Sequence, residues 1–243
     1  GLHGSSQRFR DPLHDAYDDM VRLAAAQQRG QVAQARDQLL QLLPLCDAIG
    51  HHQIGAQGRC NLAVILADLA QSQDALVHAC EGISMAEKIG DQYVQASGHG
   101  AAMEACSQLG QWHEAIRHGR LAQAGLAAHG EPAEALACEA FIAGLLHAAG
   151  EHGQAMLAVQ AVLDTVAARG GWKAEEAEAA LACTRLLTLQ QDPRAADTLA
   201  AAYRGFTAQA EAFADAADRA LFVQATASRR EVMAAWARKP PAL

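Results

Sequence analysis

Aromatic residues are scarce in this chain of 243 residues: Phe, Trp and Tyr make up 5%, although 51% of the residues are hydrophobic. The apolar content is therefore mostly Ala and Leu, which have high helix propensity and let helix backbones approach closely. No run of 18 apolar residues is present, so we expect no membrane span, and no secretory signal is visible. These features favour a helical protein with enough apolar residues for a sizeable core.

Positive charge and paired cysteines are also lacking. The formal net charge is −8, which argues against nucleic acid as a partner because phosphate binding needs a basic surface. None of the 6 cysteines belongs to a CxxC pair, and each falls within a predicted helix. We therefore expect buried free thiols and a cytoplasmic location, where thiols stay reduced.

Motifs for catalysis or metal binding are absent as well. Neither GxxxxGK[ST] nor HExxH occurs in the sequence. Close histidine pairs such as His147 and His152 are five residues apart, whereas two metal ligands on one helix face need a spacing of three or four. No general base accompanies the candidate nucleophiles Cys106 and Ser107. We therefore predict no enzymatic activity, no catalytic residue, no metal and no cofactor.

What the chain does contain is a repeat of 40 residues, visible as three columns of small residues. The alanine column is Ala35, Ala75, Ala115, Ala155 and Ala195, the glycine column is Gly50, Gly90, Gly130 and Gly170, and the third column is Gly30, Ala70, Gly110 and Gly150. A fixed period in this range predicts an array in which each unit stacks on its neighbours.

Each period contains two helical patterns separated by short turns. In one of them, Ser72 is a candidate N-cap, Lys88 lies in the last turn and Gly90 ends the helix. The same pattern along the chain predicts ten helices, at about 12–29, 31–49, 52–69, 72–89, 91–109, 111–129, 131–149, 151–169, 173–190 and 193–209. No strand pattern appears.

The predicted fold is an all-α solenoid, a right-handed α-α superhelix of about five helix-turn-helix repeats plus a C-terminal capping segment. The predicted boundaries are a tag remnant or disordered leader at 1–10, repeats over 11–209 (11–50, 51–90, 91–130, 131–170 and 171–209), capping helices at 210–238 and a disordered tail at 239–243. Aromatic residues of 210–238 either cover the last apolar face or form a docking patch.

Two segments resemble the tetratricopeptide repeat (TPR). Residues 110–115 (GQWHEA) are similar to the turn and second-helix entry of that repeat, which has an aromatic residue two positions after the turn glycine and an alanine five after it. Residues 60–63 (CNLA) are similar to its Asn-Leu-Gly stretch. Units of 40 residues, longer than the common unit of about 34, resemble the arrays of large bacterial signalling regulators.

The resemblance implies a binding groove. In the family, the first helices of successive units line a concave surface. Carrying its ligand-facing positions, and its Asn position, onto this chain gives Gln57, Cys60, Asn61, Asp68, Glu104, Ser107, Gln108 and His147. Asn61 either supports packing between units or bonds to a bound peptide backbone. Asp68 and Glu104 favour a partner with cationic character.

Two functions remain open on this basis. The first is a non-catalytic scaffold that binds a protein or peptide in the concave groove. The second is a ligand- or peptide-sensing regulatory module excised from a larger bacterial signalling protein, either a transcription regulator or a cyclase- or ATPase-linked one. The start of the chain, GLHGSS without an initiating Met, motivates the second. Neither involves nucleic acid or a membrane, and homo-oligomerisation is left unspecified.

Overall fold

The computed structural model describes residues 32–238, which form eleven α-helices and one 3-10 helix in a solenoid. The helices are α1 (Val32–Ala48), α2 (His52–Asp68), α3 (Ser72–Ile89), α4 (Gln92–Gln108), α5 (Trp112–His129), α6 (Pro132–Ala148), α7 (His152–Ala168), the 3-10 helix (Ala174–Glu176), α8 (Ala177–Leu189), α9 (Ala195–Glu211), α10 (Ala216–Ala225) and α11 (Ala227–Ala237). The predicted all-α solenoid is confirmed. The leader 1–10, the helix predicted at 12–29 and the tail 239–243 lie outside the described residues.

Residues in the left-handed backbone conformation follow the helices at positions that belong to the small-residue columns. Gly90 ends α3 with φ of 72°, and its N–H donates to the last carbonyls of that helix. Gly110 and Gly150 have φ of 72° and 86° at the equivalent turns after the first helices. Ala70 has φ of 59° in the same column despite its Cβ. The small residues that repeat in the sequence therefore mark the turns between successive helices.

Small residues also set the distance between helices. Each α-helix packs against its sequence neighbours, and the first helices of adjoining units pack as well, α2 with α4 and α6 with α8. The alanines at 35, 75, 115 and 155 have no exposed surface, whereas Ala195 of the fifth unit is half-buried. A Cβ on Gly82 would lie 2.6 Å from Sγ of Cys60. The first helices α2, α4, α6 and α8 form the inner layer of the array, closely packed within the pairs α2–α4 and α6–α8.

The joint between the fourth and fifth units departs from the predicted helix at 173–190. The chain first makes the 3-10 helix and only then continues as α8. Glu176 in this turn is buried, and its carboxylate accepts from the backbone N–H of Lys173 at 2.9 Å. Arg169, just after α7, forms an ion pair with the same carboxylate at 2.5 Å. A buried carboxylate and its guanidinium partner thus organise this turn.

The two C-terminal helices α10 and α11 pack on α9. Val232 of α11 joins Phe206 of α9 in one apolar cluster and has no exposed surface. The ring of Trp236 stacks on Tyr203, with 4.5 Å between centroids. Aromatic residues of this segment are thus engaged with the preceding helix. Within residues 32–238, none of the helices has the length and apolarity needed to cross a membrane.

Two histidines meet between α4 and α5. Nδ1 of His118 lies 2.9 Å from Nδ1 of His99, and its Nε2 lies 2.9 Å from a guanidinium nitrogen of Arg117. Because a guanidinium only donates, Nε2 of His118 accepts, so its Nδ1–H donates to His99. The neutral ring uses both nitrogens. Burial, reinforced by the positive charge of Arg117, lowers the pKa of His118 to about 4.

We expect this histidine to make the fold sensitive to acid. An unfolded histidine binds a proton near pH 6.5, whereas native His118 binds one only near pH 4, so stability falls as pH decreases through that window. His118→Gln should remove about 1–2 kcal/mol of the difference in unfolding free energy between pH 7.5 and 5. Urea unfolding at both pH values measures the difference. His52→Gln, at an exposed position, is the control. An unchanged pH dependence in His118→Gln would contradict this account.

Candidate functional site

A cleft of about 270 Å³ lies on the face formed by the inner layer. Each of the four first helices within residues 32–238 contributes to it, and so does the start of α11. We call it the acidic cleft, and its lining consists of Asp68, Gly100, Met103, Glu104, Ala137, Cys138, Phe141, Glu178, Ala182, Arg185, Thr226 and Ser228. Small residues on α4, α6 and α8 leave the room, and charged residues surround it.

Helical spacing decides which side chains reach this face. One stripe of exposed or half-buried positions on α2 recurs every three or four residues, at Gln57, Asn61, Val64 and Asp68. Cys60 falls between them and has no exposed surface, because its side chain points towards α4, where its thiol donates to the carbonyl of Val94 at 3.7 Å. Cys60 is therefore buried between α2 and α4, which corrects its assignment as a groove residue.

Three carboxylates approach the acidic cleft from different helices, Asp68 from α2, Glu104 from α4 and Glu178 from α8. The surrounding protein raises the pKa of Glu104 to about 7, and the negative charges of Asp68 and Glu178 add to the shift. The pKa values of Asp68 and Glu178 are raised as well, mainly by desolvation. Both keep solvent-exposed surface. A cation in the cleft would relieve the repulsion among these groups.

The beginning of α11 supplies positive charge to the same place. Thr226 and Ser228 line the acidic cleft. Desolvation of Asp68 is opposed by the charge of Arg229, which lowers the pKa of that carboxyl. The pKa of Glu178, which desolvation raises, is lowered first by a hydrogen bond with Ser228 and then by the charge of Arg229. An ion pair of 2.6 Å between Arg185 of α8 and Glu231 of α11 joins the two helices beside the cleft. The C-terminal segment thus lies against the acidic cleft.

The remaining predicted groove residues are held by local hydrogen bonds or lie at the ends of helices. Gln57 donates to the side-chain oxygen of Asn61 at 3.1 Å. Gln108 donates to the carbonyl of Ala67 at 3.1 Å, a bond between α4 and the end of α2. Ser107 is half-buried on the last turn of α4. Asp68 and Glu104 are thus the two predicted residues that share the acidic cleft.

His147 lies at the end of α6 rather than in the acidic cleft. Its Nδ1 is 3.1 Å from Nδ1 of His152 at the start of α7, and the ring centroids are 4.4 Å apart. Among residues 32–238, no group of three or more His, Cys, Asp or Glu side chains is arranged to hold a metal ion. The cysteines there are free thiols, five of them buried, but Cys80 is exposed, which corrects the expectation that all are buried.

Sequence reasoning missed several residues of the acidic cleft. Phe141 occupies in α6 the position that Asn61 holds in α2, and the 40-residue period could have found it, with two steps separating 61 from 141. Glu178 and Arg185 belong to the fifth unit, to which no groove positions were assigned. Thr226 and Ser228 lie beyond the repeats, so no periodic signal points to them.

Comparison with known proteins gives structural matches only. No family model matches the chain, and neither does any curated protein. A putative kinesin light chain of Podosopora anserina with nearly identical TPR-like repeats is 18% identical, with a TM-score of 0.62, over 85% of this chain and 100% of that one.

Two Rap structures match nearly the whole chain. A Rap protein complexed with Competence and Sporulation Factor is 16% identical with a TM-score of 0.63, and the match covers 93% of this chain and 66% of that one. The apo form of RapI is 12% identical with a TM-score of 0.61, over 95% of this chain and 66% of that one. This chain therefore spans about two thirds of either Rap chain. At these identities the similarity concerns the fold.

Proposed function

Because the chain has a tetratricopeptide-type fold, as its sequence motifs predicted, we propose that it is a non-catalytic scaffold that binds a protein or peptide in its concave groove. The contact is made at the acidic cleft, and the partner presents a basic side chain there. The observation that carries the proposal is the convergence of Asp68, Glu104 and Glu178 from three first helices on one cleft.

Electrostatics supports a basic partner. Three carboxylates crowd one cleft, and the pKa of Glu104 stands at about 7. Full ionisation of Glu104 is unfavourable in the absence of a nearby positive charge. A guanidinium or ammonium group in the cleft would therefore be attracted by all three carboxylates. The exposed surfaces of Asp68 and Glu178 leave them accessible to such a group. The complex of a Rap protein with Competence and Sporulation Factor, which has a similar fold, is consistent with this role.

Capture of partners from the native lysate tests the proposal. The chain carrying Asp68→Arg and Glu104→Arg should lose a partner that the unmodified chain retains, because two attractive charges become repulsive. Circular dichroism verifies that the variant keeps its helicity. The control is Glu87→Arg/Glu211→Arg, which makes the same change in net charge at exposed positions near the ends of α3 and α9.

The two variants separate the outcomes of the capture experiment. A partner lost only from the cleft variant supports binding in the groove. A partner kept by both variants would overturn binding at the acidic cleft. The contact would then lie on the second helices of the units or on α10 and α11. The regulatory-module alternative is favoured if neither chain captures a protein and a small ligand instead protects the fold against urea.

A further inference from the structure

We propose that α11 and its cap Thr226 are a tethered ligand of the acidic cleft, so that a basic partner binds only by displacing them. This inference rests on the proposed function, since it names what the partner competes with. It differs from a plain capping role, in which the C-terminal helices would only cover the apolar end of the array.

The segment lies at the wall of the acidic cleft. Thr226 and Ser228 form part of the cleft wall, although they follow the last repeat by more than a full helix. The side chain of Thr226 accepts from the N–H of Arg229 and so caps α11 at this place. A helix N-terminus carries partial positive charge, which is favourable next to carboxylates. The end of the segment that faces the cleft is therefore its positive end.

Arg229 carries a positive charge near the acidic cleft without a carboxylate partner of its own among residues 32–238. Its guanidinium stacks on the ring of Phe222, 3.7 Å from the centroid, and donates to the carbonyl of that residue at 3.2 Å. Its Nε is buried without a hydrogen-bond acceptor. The charge is thus held close enough to attract Asp68 and Glu178, whereas the guanidinium hydrogen bond goes to the carbonyl of Phe222. A basic side chain from a partner, free to enter the cleft, would make closer contacts.

The attachment of α11 to the array is limited to a few contacts, which include the buried Val232 and the stack of Trp236 on Tyr203. Val232 is the only buried residue of α11. The ion pair between Arg185 and Glu231 is 45% exposed on each side, and exposed pairs contribute at most about 1 kcal/mol. A helix of 11 residues has little stability of its own once it leaves the surface. A ligand that binds the acidic cleft can therefore displace α11 by breaking only these few contacts.

A peptide that copies residues 226–237 is the probe. Labelled, acetylated and amidated, it is titrated into the full chain and followed by fluorescence anisotropy. The tethered segment competes with the peptide in the unmodified chain. Arg229→Glu reverses the charge of the tethered copy, so it should bind the peptide at least about tenfold more tightly. The matched control Arg230→Glu changes the same charge at the neighbouring exposed position and should bind like the unmodified chain.

Two further variants complete the test. Asp68→Asn added to Arg229→Glu should cancel the gain, because the peptide then loses a carboxylate of the cleft. If Arg229→Glu does not fold, Glu231→Arg displaces α11 by repulsion from Arg185 and serves in its place. The tethered-ligand proposal is overturned if the peptide binds the unmodified chain and the Arg229→Glu variant (or Glu231→Arg in its place) with equal affinity. It is also overturned if the peptide binds none of the chains.

The two proposals fail separately. If the peptide shows no competition while capture from the lysate still depends on Asp68 and Glu104, the groove binds a partner and α11 does not regulate it. If competition is observed but capture is independent of those carboxylates, the acidic cleft serves only the intramolecular contact and the proposed function is overturned.

Discussion

Replacing Arg169 by Met should lower the free energy of unfolding by about 3–5 kcal/mol. The side chain of Glu176 is 1% exposed, and Arg169 is its ion-pair partner at 2.5 Å. The same carboxylate also accepts from the N–H of Lys173, while its other oxygen is buried without a hydrogen bond. Removing the guanidinium leaves a buried negative charge with one backbone donor, which is the costly way to break a buried pair. Urea unfolding followed by circular dichroism measures the change.

An exposed pair provides the control for this prediction. Arg36 and Asp37 are 2.7 Å apart with 30% and 60% of their side chains exposed, so Arg36→Met should cost less than about 1 kcal/mol. In the double variant Arg169→Met/Glu176→Leu most of the stability should return, because no charge is then left buried. A small effect of Arg169→Met alone would mean that water reaches Glu176 and that the turn is held by other contacts.

Gly205→Ala should cost about 2–3 kcal/mol, although alanine is the better helix former. A Cβ at this position of α9 would lie 2.8 Å from the carbonyl oxygen of Ala174 and 2.8 Å from Cβ of Ala177. Both are in or directly after the 3-10 helix, where Gln209 also donates to the carbonyl of Ala174 at 2.7 Å. The clash is with backbone, so α9 must move away from the joint. Thermal or urea unfolding of the purified variant gives the size of the effect.

Gly144 is the matched control for the same substitution. It lies inside α6, and a Cβ built there meets nothing within 4 Å. Gly144→Ala should therefore stabilise the chain by up to about 1 kcal/mol through helix propensity alone. If both variants gain stability, α9 has room beside the 3-10 helix and the close packing described here is wrong.

The repeat and its helices could be predicted from the sequence because the signals are local. Gly90, Gly110 and Gly150 mark turns by their backbone conformation, and the buried alanines mark the contacts between paired helices. The joint at residues 174–176 gave no such signal. Its turn depends on Glu176, whose burial is explained only by the position of Arg169 after the previous helix.

The candidate site was only partly predictable. Asp68 and Glu104 follow from the register of the first helices, since their side chains fall on the exposed stripe. The prediction for Cys60 was wrong because neighbouring positions on a helix point in different directions. Asn61 keeps exposed surface, whereas Cys60 is buried in the core. The part of the acidic cleft made by Thr226 and Ser228 depends on how far the superhelix curves before the chain ends. That curvature is a sum of small rotations between units, which residue patterns do not encode position by position.

The acidic cleft also changes how the array behaves as a whole. In a stack whose units touch only their neighbours, fraying at one end is not felt at the other. Here α2, near the beginning of the described array, and α11, at its end, border the same cleft and attract each other through opposite charges. The two parts of the array are therefore linked through the cleft, although they are far apart in the sequence. Because dissolved salt screens attraction between charges, we expect higher ionic strength to weaken the contact between these two parts of the array.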